Sequence, residues 1–217
     1  KALQDQIPRL VILYLFPISQ LAFLGQSQII MNLFIRFATA VGNVLYPRIA
    51  SLDNWDQINL ITQSIRISLI INSIIVFILV ISIDVLVRLI YGNEYYGMVL
   101  YLYFMFPSAL ILIQGLIMEQ YINGRGDFKL KVLLNIVSCL GLIITLIIFI
   151  DDLKNIHIAI AISISNIMYT IAAAYVFVYK YKIDIKKMIP TKIDLILIFD
   201  FINSTFNNLR NTKNKNE

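Results

Sequence analysis

Residues Ser68–Ser82 read SLIINSIIVFILVIS. The run carries no charge and no proline. It also lacks the strict apolar/polar alternation of a membrane β-strand, which argues against a transmembrane barrel. With its flanks it extends to a largely apolar segment over 65–90, longer than the roughly 20 residues that cross a bilayer as a helix. One such segment predicts a membrane helix, and the rest of the chain repeats the pattern.

The 217 residues are 59% hydrophobic and 14% charged, with a mean hydropathy of +0.79. A soluble domain is nearer about half apolar and about a quarter charged. The apolar excess sits in long runs. The fold class expected is all-α: a polytopic membrane helix bundle. About six transmembrane helices are expected, over 10–26, 28–47, 65–90, 97–121, 131–150 and 155–179. Residues 1–180 form this bundle and 181–217 a tail. The chain starts at Lys1 without a leader of charged start, apolar stretch and small-residue cleavage site, so it reads as part of a longer protein.

Loop charges predict the orientation. Lys1 and Arg9, then Arg48, then Arg125, Lys129 and Lys131, then the lysines from Lys180 onward all fall on one side of six spans. The other side carries Glu94, Asp151 and Asp152, with Lys154 alone against them. The carboxyl end is therefore expected in the cytoplasm. The net charge of +5 is a topology signal first. Its basic residues are scattered over short loops, so no nucleic-acid partner is expected. Beyond Thr191, Leu195, Phe199, Ile202, Phe206 and Leu209 recur at helical spacing, predicting an amphipathic helix on the membrane surface.

Cys139 is the only cysteine and His157 the only histidine. Neither an internal disulfide nor a site built from several thiolates or imidazoles is available, and no metal or other cofactor is expected. His157 reads as a surface residue beside a loop. The chain has no phosphate-binding glycine loop, nucleophile motif or paired catalytic carboxylates, so it does not read as an enzyme; NGRGDF over 123–128 is a turn between two spans.

The stretch QIIMNLFIRFATAVGNVLYP, Gln28 to Pro47, places Arg36 within an apolar span. At 1.5 Å per residue Arg36 lies roughly 12 Å from Gln28 and roughly 16 Å from Pro47. That is near the midplane, where a lone arginine costs at least roughly 2.5–3.5 kcal/mol on insertion scales. Gln28, Asn32, Arg36, Thr39 and Asn43 follow spacings of four, four, three and four, which put them on one face. A polar stripe of this kind avoids lipid and faces a bundle interior or a water-filled cavity. Arg36, Asn32, Thr39 and Asn43 are therefore candidate ligand-binding residues, with Arg66 a further candidate near the end of its own span. A cation there suits a phosphate or carboxylate. Ala38 and Gly42 form a small-xxx-small pair for close packing.

Weaker polar stripes recur: Ser64, Ser68 and Asn72; Asn135, Ser138 and Thr145; Ser163, Asn166 and Thr170. Each alone reads as interhelical hydrogen bonding. Asp84 and Arg88 read as a local i,i+4 pair. Glu119 is expected to pair with Arg125. No acid lies at the depth of Arg36.

The runs NVLYPRIASL over 43–52, VLVRLIYGNEYYG over 85–97 and YINGRGDFKLKVLLNIVS over 121–138 resemble the bacterial polysaccharide and O-antigen flippases of the multidrug/oligosaccharidyl-lipid/polysaccharide exporter superfamily. The resemblance covers roughly residues 9–180 and the lysine-rich tail. It implies the second six-helix bundle of a twelve-helix transporter in the bacterial inner membrane. It also implies a cargo, an undecaprenyl-diphosphate-linked oligosaccharide such as an O-antigen or capsule repeat unit, moved from inner to outer leaflet by alternating access. Membrane lipids and polysaccharide assembly proteins are the partners it implies. Arg36 fits a diphosphate-meeting role by depth and face. The other readings are a cation-coupled multidrug exporter, which wants a carboxylate at the midplane, a peptidoglycan lipid precursor flippase, a membrane-embedded glycosyltransferase, which wants larger external loops, and a non-functional fragment.

Overall fold

The computed structural model describes residues 18–52, 54–149 and 155–197, with Ile7, Leu10, Leu13 and Tyr14 as isolated helical positions before them. Among the described residues five long helices carry the fold: α1 (Ile18–Ser51), α2 (Asn54–Tyr91), α3 (Met98–Gly124), α4 (Phe128–Ile148) and α5 (Asn155–Tyr179). Short 3-10 turns cover Asn93–Tyr95 and Ile185–Met188. Among the described residues there is no strand. Helices α2 to α5 are long and apolar enough to cross a membrane.

The expected spans 10–26 and 28–47 are not separated by a break at Gly25–Ser27. From Ile18 onward they belong to one helix, α1, which also runs past Pro47 to Ser51. A mid-helix glycine costs only about 1 kcal/mol against alanine, and packing offsets it. Leu24 is wholly buried, and the Ser27 hydroxyl donates to the Phe23 carbonyl at 2.8 Å and to that of Met98 at 3.4 Å. At 34 residues α1 is roughly 51 Å long, and α2, at 38 residues, roughly 57 Å. Both exceed a hydrocarbon core of about 30 Å.

The helices alternate in direction, and α3 is the hub. It packs against α1, α2 and α5, while α4 leans mainly on α5. The ends of α1, α3 and α5 therefore gather with the starts of α2 and α4. That end holds Arg48, Arg125, Lys129, Lys131 and the lysines from Lys180 to Lys192, so these basic residues still gather at one end without the expected break. Asp151, Asp152 and Lys154 of the other side lie outside the described residues. Lys1 and Arg9 lie outside the described residues.

Two turns need glycine. Gly92 (φ +83°) opens the Tyr-rich turn at one end, and Gly126 (φ +76°) closes the α3–α4 turn at the other. The α3–α4 turn is tied to the residues after α5. Asp127 accepts from Lys180 Nζ at 2.8 Å and from the Tyr181 hydroxyl at 2.6 Å. The Lys180 and then the Tyr181 hydrogen bonds hold its carboxyl below the usual carboxylate range. Burial first, then the Asp127 carboxylate, pushes the Tyr181 phenol up.

Some of the predicted small and polar residues make interhelical contacts, but the Ser64, Ser68 and Asn72 stripe bonds within α2. Ser64 donates to the Leu60 carbonyl at 2.8 Å and the Asn72 amide to the Ser68 carbonyl at 2.7 Å. Gly42 is buried, and a Cβ there would lie 2.5 Å from Gln120 Cγ; the Ala38 side chain lies outside the described residues. At Gly115 a Cβ would lie 2.6 Å from Thr170 Oγ1 and 3.1 Å from Thr170 Cα. The second contact is backbone and cannot rotate away. Gly115→Ala is therefore expected to push α3 from α5 and cost about 1–3 kcal/mol. Gly25→Ala, with nothing within 4 Å of its Cβ, is expected to be neutral or stabilising by up to about 1 kcal/mol. The denaturation midpoint in detergent should fall for Gly115→Ala and hold or rise for Gly25→Ala; equal shifts would remove the packing account.

Candidate functional site

The polar stripes of α4 and α5 do two jobs. Ser138 and Ser165 join the helices: the Ser165 hydroxyl donates to the Ser138 carbonyl at 2.7 Å, and the two hydroxyls lie 2.9 Å apart. Ser163 donates to the Phe104 carbonyl at 2.8 Å and Thr170 to that of Ile111 at 2.9 Å, fixing α5 on α3. Thr145 bonds back to the Gly141 carbonyl at 2.7 Å, whereas Asn135, Ser138 and Asn166 face a cleft. Its floor is α3 and α5, and its walls are α1 and α4.

The cleft holds about 110 Å³. Met31, Ile35, Met105, Leu112, Leu116, Leu142 and Ile162 supply its apolar lining. Gln28 and Asn32 come from α1, Glu119 from α3, Asn135 and Ser138 from α4, Asn166 and Tyr169 from α5. A cavity of this size with several amides and hydroxyls has room and polar partners for water, which needs only about 10–15 Å³ and two to four such groups.

Glu119 is the one carboxylate among the described lining residues and is 7% exposed. Lys131 Nζ donates to its Oε1 at 2.6 Å, and the Tyr169 hydroxyl donates to its Oε2. The expected Glu119–Arg125 pair does not form. Six residues at about 100° each leave the two side chains roughly 120° apart around the helix. Arg125 turns instead to Gln57 Oε1, at 3.2 Å, and to the Tyr121 and Tyr181 rings. Lys131, one helix away, was not legible as the partner, because only the α3–α4 hairpin brings its first turn against the last turns of α3. Asp84 and Arg88 also do not pair. Tyr103 donates to Asp84 at 2.8 Å, and Arg88 lies 4.7 Å from the centre of the Tyr96 ring.

The α1 stripe divides. Gln28 and Asn32 line the cleft. Arg36, Thr39 and Asn43 lie further along the helix and are exposed, with the Thr39 hydroxyl donating back to the Ile35 carbonyl at 2.8 Å. Phe23 packs at Gly97 and Ile49 at Gly124. Arg36, midway between Phe23 and Ile49, is thus level with the middle of α3. Among the described residues it has no ion-pair partner. Its exposed cation lies one residue past the cleft-lining Ile35 and is not itself part of the lining, although the spacing predicts it there.

Arg66 does not join this group. Helix α2 contributes nothing to the cleft, and Arg66 is engaged elsewhere: Nε donates to Asp194 Oδ2 at 2.8 Å and Nη1 to the Lys187 carbonyl at 2.7 Å. A cavity role for Arg66 would require giving up both bonds. His157 stacks on Phe149, with ring centres 4.3 Å apart, and is half-buried. Of the expected amphipathic helix, 192–197 are helical; Phe199 to Leu209 lie outside the described residues.

Comparison with protein-family models, curated proteins and solved structures gives no match.

Proposed function

We propose that this chain is part of a flippase that carries an undecaprenyl-diphosphate-linked oligosaccharide from the inner to the outer leaflet of a bacterial inner membrane by alternating access. One observation carries the reading: a polar cleft between membrane-length helices is followed along α1 by an exposed arginine that has no ion-pair partner among the described residues and is level with the middle of α3. Amides and hydroxyls suit sugar hydroxyls, and a guanidinium suits a diphosphate. An arginine at that depth is not left against lipid, so this face of α1 meets water, cargo or another protein surface. The cleft is too small to enclose an oligosaccharide; it serves as the floor of a larger passage, near the midplane as in repeat-built transporters. The basic end faces the cytoplasm, and polysaccharide assembly proteins receive the cargo outside.

Glu119 favours a second reading, a cation-coupled exporter. It is a buried carboxylate on the cleft, but it lies five residues before the end of α3, roughly 8 Å from it. A coupling cation there would compete with Lys131. A peptidoglycan lipid precursor is the alternative cargo with the same anionic chemistry.

The test is made in cells lacking the gene. Lipid-linked oligosaccharide is expected to accumulate and surface polymer to fall, with rescue by the full-length gene. Arg36→Ala is expected to rescue at least about tenfold less well, as loss of one charge-assisted contact implies. Unchanged lipid-linked pools and surface polymer would reject the cargo and leave drug export or an inactive fragment.

A further inference from the structure

After α5 the chain turns back across the basic end of the bundle, at Lys182 (φ +54°), and residues 182–197 lie along the first turns of α2. Their inner side is clamped. Ile183 and Met188 are buried, and Asp194 is wholly buried. Arg66 binds the Lys187 carbonyl and Asp194 Oδ2 together. The Thr191 amide and hydroxyl donate to that same oxygen at 2.8 and 2.7 Å.

The outer side has a different character. Ile185, Ile189, Ile193 and Ile196 are each more than half exposed. Lys182, Lys186, Lys187 and Lys192 are exposed among them. The acids do not balance these lysines: Asp194 faces inward, and Asp184 spends an oxygen on the Lys186 amide at 2.9 Å. An exposed surface of branched apolar side chains and lysines, set at the end of membrane-length helices, matches the boundary between anionic headgroups and acyl chains.

We propose that residues 182–197 are a strap that docks on anionic phospholipid on the basic side of the membrane, with the Arg66–Asp194 clamp transmitting that contact to α2. The isoleucines enter the acyl boundary and the lysines meet phosphate oxygens. A zwitterionic surface accommodates the isoleucines without rewarding the charge. The inference is independent of the cargo and requires only that the helices span a membrane.

The chain contains its own reporter. Trp55 is the only tryptophan, it is 66% exposed, and Lys187 Nζ lies 5.0 Å from its ring centre. The full chain would be reconstituted in phosphatidylcholine vesicles containing equal fractions of either phosphatidylglycerol or phosphatidylcholine brominated near the headgroup. Trp55 emission is expected to be quenched about twofold more by the brominated anionic lipid, a modest reading of the roughly fivefold local preference each surface lysine confers. Lys186→Gln with Lys187→Gln should bring that ratio to about one while leaving the zwitterionic quenching unchanged. Equal quenching in the wild type, or an unchanged ratio in the double variant, would overturn anionic docking and leave the membrane placement intact. No quenching by either lipid would take the strap off the membrane and make its outer face a protein-docking surface.

Discussion

Lys131→Met is expected to destabilise the protein by about 2–3 kcal/mol, and Glu119→Gln by less than about 1 kcal/mol. The two substitutions break the same 2.6 Å contact from opposite sides, but the partners differ in burial. The Lys131 side chain is 44% exposed and the Glu119 side chain 9%. Freed of Glu119, the ammonium reaches water. Freed of Lys131, the carboxylate keeps only the Tyr169 hydroxyl, inside a cleft between membrane helices. Stranding a buried charge costs far more than removing it, and a glutamine keeps an oxygen to accept from Tyr169. Unfolding by detergent titration measures both. Equal losses would mean that water already reaches Glu119 freely, and the cleft would then be an open surface groove.

Asp194→Leu is expected to cost about 2–3 kcal/mol, below the roughly 3–5 of a wholly buried pair because the Arg66 side chain is 20% exposed. Pairing it with Arg66→Met should restore most of the loss, since the charge left behind, and not the missing contact, carries the penalty. If the double variant is as unstable as the sum of the two single ones, the strap is held by its hydrogen bonds to Lys187 and Thr191 instead. Acid titration reads the same clamp. Burial alone would raise the Asp194 carboxyl, but the Arg66 guanidinium, with the Thr191 hydroxyl and amide, holds it below the usual range. A depressed folded value means stability present above the unfolded value of about 3.9 and lost as pH falls through the lower folded one. Wild type should therefore lose stability below about pH 4 more steeply than the Arg66→Met, Asp194→Leu pair.

Hydropathy was enough to read an all-helical membrane chain, because a backbone in hydrocarbon must satisfy its own hydrogen bonds and long apolar runs have few other solutions. The basic end was also legible, since loop charge is counted along the chain and needs no contacts. The shared face of the α1 stripe followed from helical geometry alone, but only Gln28 and Asn32 of it line the cleft, and Arg36, Thr39 and Asn43 do not.

Three things lay beyond sequence reading. Gly25 and Ser27 look like a break, yet packing on α3 carries α1 straight through them. The partners of Glu119 and Arg66 come from other elements: Lys131 and Tyr169 for the first, Asp194 and the Lys187 carbonyl for the second. The separation of Arg66 from the cleft depends on which face of α3 each helix chooses. Periodicity states which residues share a face, because that is a property of one helix. What each face meets is a property of several helices packed together, and no single segment encodes it.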